Sequence, residues 1–167
     1  MIRSDTTATQ PHCEVLITHI LDAPRELVFK AWTDPEQVKQ WWGPHGFTNP
    51  VCELDPRPGG VMRMVMRGPE GIEHSMTGMF REFFPPERLV FVNTPLDRDG
   101  NPLLEGLATV TLSQLDDKTK LILEARAIGL DPLAARMLQG MEMGWSQSLE
   151  RLTELLTCGT VTPKQQV

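Results

Sequence analysis

No tyrosine occurs in this chain, so no phenol is available as an acid, a base or a hydrogen-bonding tip. Cysteine is scarce as well: Cys13, Cys52 and Cys158 are odd in number, far apart, and form no CxxC pair. That spacing excludes a disulfide framework and suits free thiols in a reducing cytoplasm. Histidines and carboxylates show neither HxH nor HExxH spacing, so no metal centre and no cofactor is expected. There is no G-x-S-x-G and no phosphate-cradling glycine loop; Gly43-Pro44-His45-Gly46 reads as a loop at a helix end. Basic residues form no cluster, and the net charge is −6, so nucleic acid is not an expected partner. No apolar run nears membrane-spanning length, and the polar opening MIRSDTTATQPH has no signal-peptide pattern. A cytoplasmic protein without membrane contact is the expectation.

What remains is an ordinary globular composition, with 40% hydrophobic and 23% charged residues. At 167 residues the chain is long enough for one domain that buries about 70% of its extended-chain surface. Residues 1–11 and 159–167 are polar and aperiodic and read as loose tails around a single domain at 12–158.

The strongest pattern lies near the end. Asp131-Pro132 is a helix-start signal, a capping carboxylate followed by proline at the first helical position. Leu133, Met137, Met141, Trp145, Leu149, Leu152 and Leu156 then recur at three- and four-residue steps. They predict one helix over 131–157, roughly 40 Å long at 1.5 Å per residue, with Gly159 as its C-cap. Its last third is ordinarily amphipathic. Its first half is rich in methionine around Gly140 and Gly144, each costing about 1 kcal/mol relative to alanine. Two compatible reasons present themselves: close packing on a strand, or room for a bound molecule beside adaptable methionines.

The rest reads as strands. CEVLITHILD (13–22) has Val15, Ile17, His19 and Leu21 on one face and Leu16, Thr18 and Ile20 on the other, so both faces are expected to be covered. Pro24 opens a short helix with Leu27, Val28, Ala31 and Trp32 inward. Asp34-Pro35 opens a second, which Gly43-Pro44 stops. Six further strands follow, at 51–54, 61–67, 72–84, 89–94, 104–115 and 119–128, joined by short turns. In the second of these six, Met62, Met64 and Met66 share one face, with Arg63 and Arg67 on the other. The expected fold is therefore α+β: a curved antiparallel sheet of about seven strands gripping a long C-terminal helix, with two short helices after the first strand.

Several stretches then fall into a familiar order. Ala23-Pro24-x-x-x-Val28-Phe29-x-Ala31-Trp32-Thr33-Asp34-Pro35-Glu36, Trp41-Trp42-Gly43-Pro44 and Arg57-Pro58-Gly59-Gly60 come first. Pro85-Pro86-Glu87-Arg88-Leu89-Val90 and Gly144-Trp145-Ser146-x-x-Leu149-x-x-Leu152 follow. Together they resemble the activator of Hsp90 ATPase homologue 1-like family, within the START-like, Bet v 1-like (SRPBCC) superfamily, over roughly residues 13–157. The resemblance implies a helix-grip fold around an apolar cavity. The superfamily includes lipid carriers, polyketide cyclases, hydroxylase subunits and plant ligand carriers, and the eukaryotic namesake domain binds the chaperone. The missing tyrosine departs from any cyclase-like role that uses a phenol.

No matching motif is a catalytic constellation, and no catalytic residue is assigned. His19, His45, His74, Glu53, Arg63, Glu82 and Glu124 are scattered polar candidates. His45 follows the paired tryptophans, and Glu82 shares strand parity with Met76, Gly78 and Phe80, which makes it the best candidate for a buried carboxylate. The ligand-lining set expected from this fold is Trp41, Trp42, His45, Phe47, Met64, Met66, Phe80, Glu82, Met137, Met141 and Trp145, with Trp32 in the core. The expected function is binding of a small apolar or amphipathic molecule between the sheet and the Met-rich half of the last helix. The alternatives are a chaperone-linked protein-interaction module, or an enzyme on a hydrophobic substrate with His45 or Glu82 handling the proton. A monomer or weak homodimer is expected, pairing through strand edges or exposed loop residues such as Leu103 and Leu104.

Overall fold

The computed structural model describes residues 11–165, with side chains described as far as Thr157. Residues 1–10 of the tail read at 1–11, residues 166–167 and the Cys158 thiol lie outside the described residues. In chain order the elements are β1 (His12–Leu21), α1 (Arg25–Thr33), α2 (Pro35–Trp41), β2 (Thr48–Leu54), β3 (Val61–Arg67) and β4 (Glu73–Phe84). β5 (Arg88–Leu96), β6 (Leu104–Leu115), β7 (Lys118–Gly129), α3 (Ala134–Gln139) and α4 (Met141–Gln165) complete them. The seven strands form one antiparallel curved sheet in the order β1-β7-β6-β5-β4-β3-β2. β2 to β7 are a continuous meander, and the first strand closes the far side by pairing with the last. The sheet grips α4, which lies against β1 and α2.

Local chemistry explains the short helices. The Asp34 carboxylate accepts from the Glu36 N–H at 3.0 Å, and Pro35 begins α2 where its missing N–H costs nothing. Trp41 Nε1 donates to the Ala31 carbonyl at 2.9 Å, tying the two helices at their corner. On α1 the buried face is Val28, Phe29, Ala31 and Trp32. Leu27, expected inward, is half-exposed, because its place against the sheet belongs to Phe29, which packs edge-on against Phe83.

The apolar parity of the strands carries through most of the sheet. Met62 and Met64 are buried on the concave side of β3, while Arg63 and Arg67 are exposed and pair with Glu53 and Glu73. β1 departs from expectation on one face. Val15 and Leu21 are buried, but Leu16 and Ile20 stand exposed at 68% and 51%, because no described element covers the convex side. Leu104 is buried rather than available for pairing: it begins β6 and packs with Ala127, Ala134 and Leu138 in a small second core.

The C-terminal pattern is where the structure departs most from a single rod. The helix breaks at Gly140 (φ −92°, ψ 2°), leaving the short α3 and the long α4. Asp131 accepts from the Leu133 N–H at 2.9 Å, so the cap signal closes a turn and the helix starts at Ala134. Beyond the break Leu149, Leu152 and Leu156 keep the predicted stripe and join the main core, with Leu149 and Leu152 fully buried. Each such leucine contributes about 2 kcal/mol by leaving water. Before the break the stripe fails. α3 buries Ala134 and Leu138, while Leu133 is 68% exposed and Met137 is turned toward the cavity described below. α4 also continues past Gly159 to Gln165 instead of stopping there, since one glycine weakens a helix without ending it.

Candidate ligand cavity

α4 runs along β1 and α2, and α3 sits over β7 and β1, which leaves the far ends of β3, β4 and β5 uncovered by helix. The result is a cavity of about 940 Å³. One wall is Pro132, Leu133 and the exposed side of α3 with Met137, then Gly140, Met141, Gly144, Trp145 and Ser148. The floor is sheet: Met66, His74 to Met76, Asn93, Pro95 and Leu96. Trp42, Pro44 and Phe47, from the loop after α2, close one side, and Leu103 closes the other.

Aromatic packing sets the inner end. Trp145 lies edge-on to Trp42 with centroids 5.3 Å apart and stacks on Trp32 at 6.2 Å. Trp42 and Trp32 both meet Phe91 on β5, at 6.0 and 6.3 Å. Trp32 is buried core, and Trp42 and Trp145 present the same cluster to the cavity.

The side loop is held by hydrogen bonds from α4. Gly43 adopts φ +99°, a conformation open to glycine, and its N–H donates to Ser148 Oγ at 3.0 Å. Arg151 Nη1 donates to the carbonyls of Trp42, Gly43 and Pro44 at 3.0, 3.0 and 3.1 Å, and Nη2 donates to the Gln40 carbonyl at 2.9 Å. One guanidinium thus collects four carbonyls where α2 ends, two of which, those of Trp42 and Pro44, also accept from Asn49 Nδ2 and the Phe47 N–H. Burial lowers its pKa, with the Glu154 charge opposing that shift.

Of the expected ligand-lining residues, the structure brings Trp42, Phe47, Met66, Met137, Met141 and Trp145 together around this cavity. Five others lie elsewhere. Trp41, Met64 and Phe80 are fully buried in the main core and do not border the cavity. His45 is exposed on the outside of the loop, its Nε2 2.8 Å from Glu150 Oε1 and its backbone N–H donating to Gln147 Oε1. Glu82 is not a buried carboxylate. The β4–β5 register shifts between Phe80 and Glu82, which inserts Arg81 as an extra residue and turns Glu82 outward, 44% exposed and 2.8 Å from Arg88. Phe83 takes the inward position that parity had assigned to Glu82.

Neither helix glycine is there for close packing. A Cβ at Gly140 would meet nothing nearer than 3.9 Å, and one at Gly144 would reach only Pro44 Cγ at 4.0 Å. Both instead border the cavity.

Asn93 was missed. It faces the cavity from β5, two residues beyond Phe91, yet its strand reads as apolar. The available signal was composition: asparagine is uncommon inside strands, and it is flanked across the ladder by Gly78 and Gly106, which also weaken strands. Among the described residues no three His, Cys, Asp or Glu side chains gather in a metal-binding group, and no helix is long and apolar enough to cross a membrane.

Comparison with known proteins follows the same lines. The family model described as Activator of Hsp90 ATPase homolog 1-like protein matches residues 22–157. No curated protein matches the chain. A crystal structure of a Nitrosomonas europaea protein is 27% identical, with 89% of this chain and 97% of that one covered at a TM-score of 0.72. A solution structure of an Arthrobacter aurescens protein is 26% identical, with 86% of each chain covered at a TM-score of 0.75. The AHSA1 protein of Silicibacter pomeroyi has the same fold, with a TM-score of 0.75 at 23% identity over 88% of this chain and 99% of that one.

Proposed function

Because this chain belongs to the Activator of Hsp90 ATPase homolog 1-like family, whose model spans residues 22–157, we propose that it works as a binding module, and that its cavity takes a small hydrophobic or amphipathic molecule. The observation that carries this reading is the cavity itself. About 940 Å³ lies within the range of small-molecule sites, and its walls combine methionine, tryptophan and proline with few polar groups. Methionines adapt to irregular shapes, and Trp42 and Trp145 offer flat faces. No chemistry beyond binding is assigned, since neither His45 nor Glu82 faces the cavity.

Titration of the native protein with an apolar fluorophore tests this. The expected result is a saturable, one-to-one change in indole emission, because two of the four tryptophans line the cavity. Native mass spectrometry of gently purified protein should also show a bound small molecule. No saturable change with any apolar probe, together with a bare protein mass, overturns the reading.

A second reading is supported by the family description and by the cavity rim. Leu130, Leu133 and Met143 are 50%, 68% and 66% exposed around α3 and the start of α4. Such a rim suits a chaperone or other protein partner. A bare mass combined with capture of a chaperone that Leu133→Asp abolishes would put this second reading first.

A further inference from the structure

We infer that the cavity selects an uncharged hydrophobic ligand bearing a hydrogen-bonding oxygen, a ketone, ester or alcohol, and that the Asn93 carboxamide reads that oxygen. This rests on the cavity being a ligand site and specifies what enters it.

Asn93 pairs with Gly78 on β4 and with Gly106 on β6, so the positions beside it on both neighbouring strands carry no side chain. Cross-strand neighbours are the groups that ordinarily cover or hydrogen-bond a strand side chain. Here neither can. A Cβ at Gly106 would stand 2.5 Å from Asn93 Oδ1, and a Cβ at Gly78 would run into the Val92 carbonyl. The carboxamide therefore lies over the bare Gly106 position on the cavity floor, and it makes no side-chain hydrogen bond to any described residue.

The other polar groups of the lining are differently placed. Ser148 already accepts from the Gly43 N–H, and His74, Ser75, Arg136 and Gln139 are exposed toward the rim. Asn93 is thus the half-buried polar side chain of the sheet floor that has no side-chain hydrogen-bond partner among the described residues, in a cavity that Trp42 and Trp145 also line.

Charge decides the ligand class. No Asp or Glu lines the cavity, so a cationic ligand would shed its hydration without a counter-charge. The one arginine, Arg136, is exposed, so an anionic head would stay in water beside it rather than reach Asn93. An amide offers one acceptor and two donors, which match a neutral carbonyl or hydroxyl.

Calorimetric titration of the full chain with naphthalene, methyl naphthyl ketone and naphthylmethylamine tests the inference. In the native protein both neutral probes bind and the amine binds most weakly. Asn93→Leu should weaken the ketone about three- to tenfold, the worth of one net hydrogen bond, and leave naphthalene unchanged or tighter. Asn93→Ala should weaken the ketone in the same direction, and serves if the leucine variant does not fold. An unchanged ketone-to-naphthalene ratio in the folded variants, or an amine that binds as well as the ketone, overturns the inference while the cavity reading stands. Failure of every probe to bind the native protein overturns both.

Discussion

Arg151 is the side chain on which the cavity's loop wall depends. Its four hydrogen bonds end on backbone carbonyls of residues 40, 42, 43 and 44, with no carboxylate partner among them. Arg151→Met removes the donors and leaves the Gln40 and Gly43 carbonyls to find water, while Asn49 Nδ2 still reaches Trp42 and the Phe47 N–H still reaches Pro44, at a cost of about 2 kcal/mol. For a domain of this size that is a fall in Tm of about 4–8 °C, measurable by thermal melting. Arg151→Lys should recover less than half of the loss, because an ammonium cannot span the same fork. A lysine variant as stable as the native protein would show that charge alone sufficed. A second residue-scale expectation concerns Cys52, on β2. Burial pushes its thiol pKa up to about 11, only partly opposed by Lys39. The thiol therefore stays protonated and unreactive at pH 8, and its alkylation, followed by peptide mapping, should rise only as the pH nears 11. The linkage has a definite sign. An unfolded thiol near 9 loses its proton first, so this group's contribution to stability is intact below pH 9 and is lost between 9 and 11. Rapid alkylation of Cys52 in folded protein at pH 8 would contradict its burial.

At the scale of elements the decisive feature is the break at Gly140. It lets α4 keep its leucines in the core while α3 turns so that Ala134 and Leu138 reach the second core and Met137 faces the cavity. In a continuous helix at 3.6 residues per turn Leu133 would stand about 160° around the axis from Leu149, so one straight rod could not turn both to the same core. The open space over Gly144 makes the cavity testable without touching the core. Gly144→Leu adds a side chain where the nearest group to a Cβ is Pro44 Cγ at 4.0 Å, and it improves helix propensity by about 0.5–1 kcal/mol. The expected outcome is unchanged or higher stability together with loss of binding of the apolar fluorophore. If the site were close-packed, overpacking would cost about 1–3 kcal/mol instead, and urea melts would distinguish the two.

For the whole molecule the open question is how it meets others of its kind. β1 and β2 are the two edges of the sheet, and Leu16 and Ile20 are exposed on the convex face of β1. β2 blunts its own edge with Pro50 and a register shift between Thr48 and Val51. A monomer or weak dimer at micromolar concentration is the expected state, pairing at β1 if at all, and Leu16→Lys with Ile20→Lys should abolish any dimer. Sedimentation showing a tetramer or larger species would contradict this.

The sequence by itself determined the strand count, the order of elements, the caps at Asp34 and the inward methionines at Met62 and Met64. Each of these is written in a few consecutive residues: a period of two or 3.6, a proline after aspartate, a glycine pair at a turn. The expectation that six residues from Trp42 to Trp145 border one cavity followed from placing those periodic faces in a helix-grip fold. Only the tertiary structure decided the rest. One inserted residue at Arg81 reversed the parity that had turned Glu82 inward, and only the partner strand's register reveals such a bulge. The break at Gly140 depended on which helical residues found a second core on β6 and β7, a competition between distant surfaces. Asn93 acquired its meaning from two glycines on two other strands, far from it in sequence. Periodicity records which face a residue prefers. Which side chains end up sharing a cavity depends on register and packing between segments that no local pattern links.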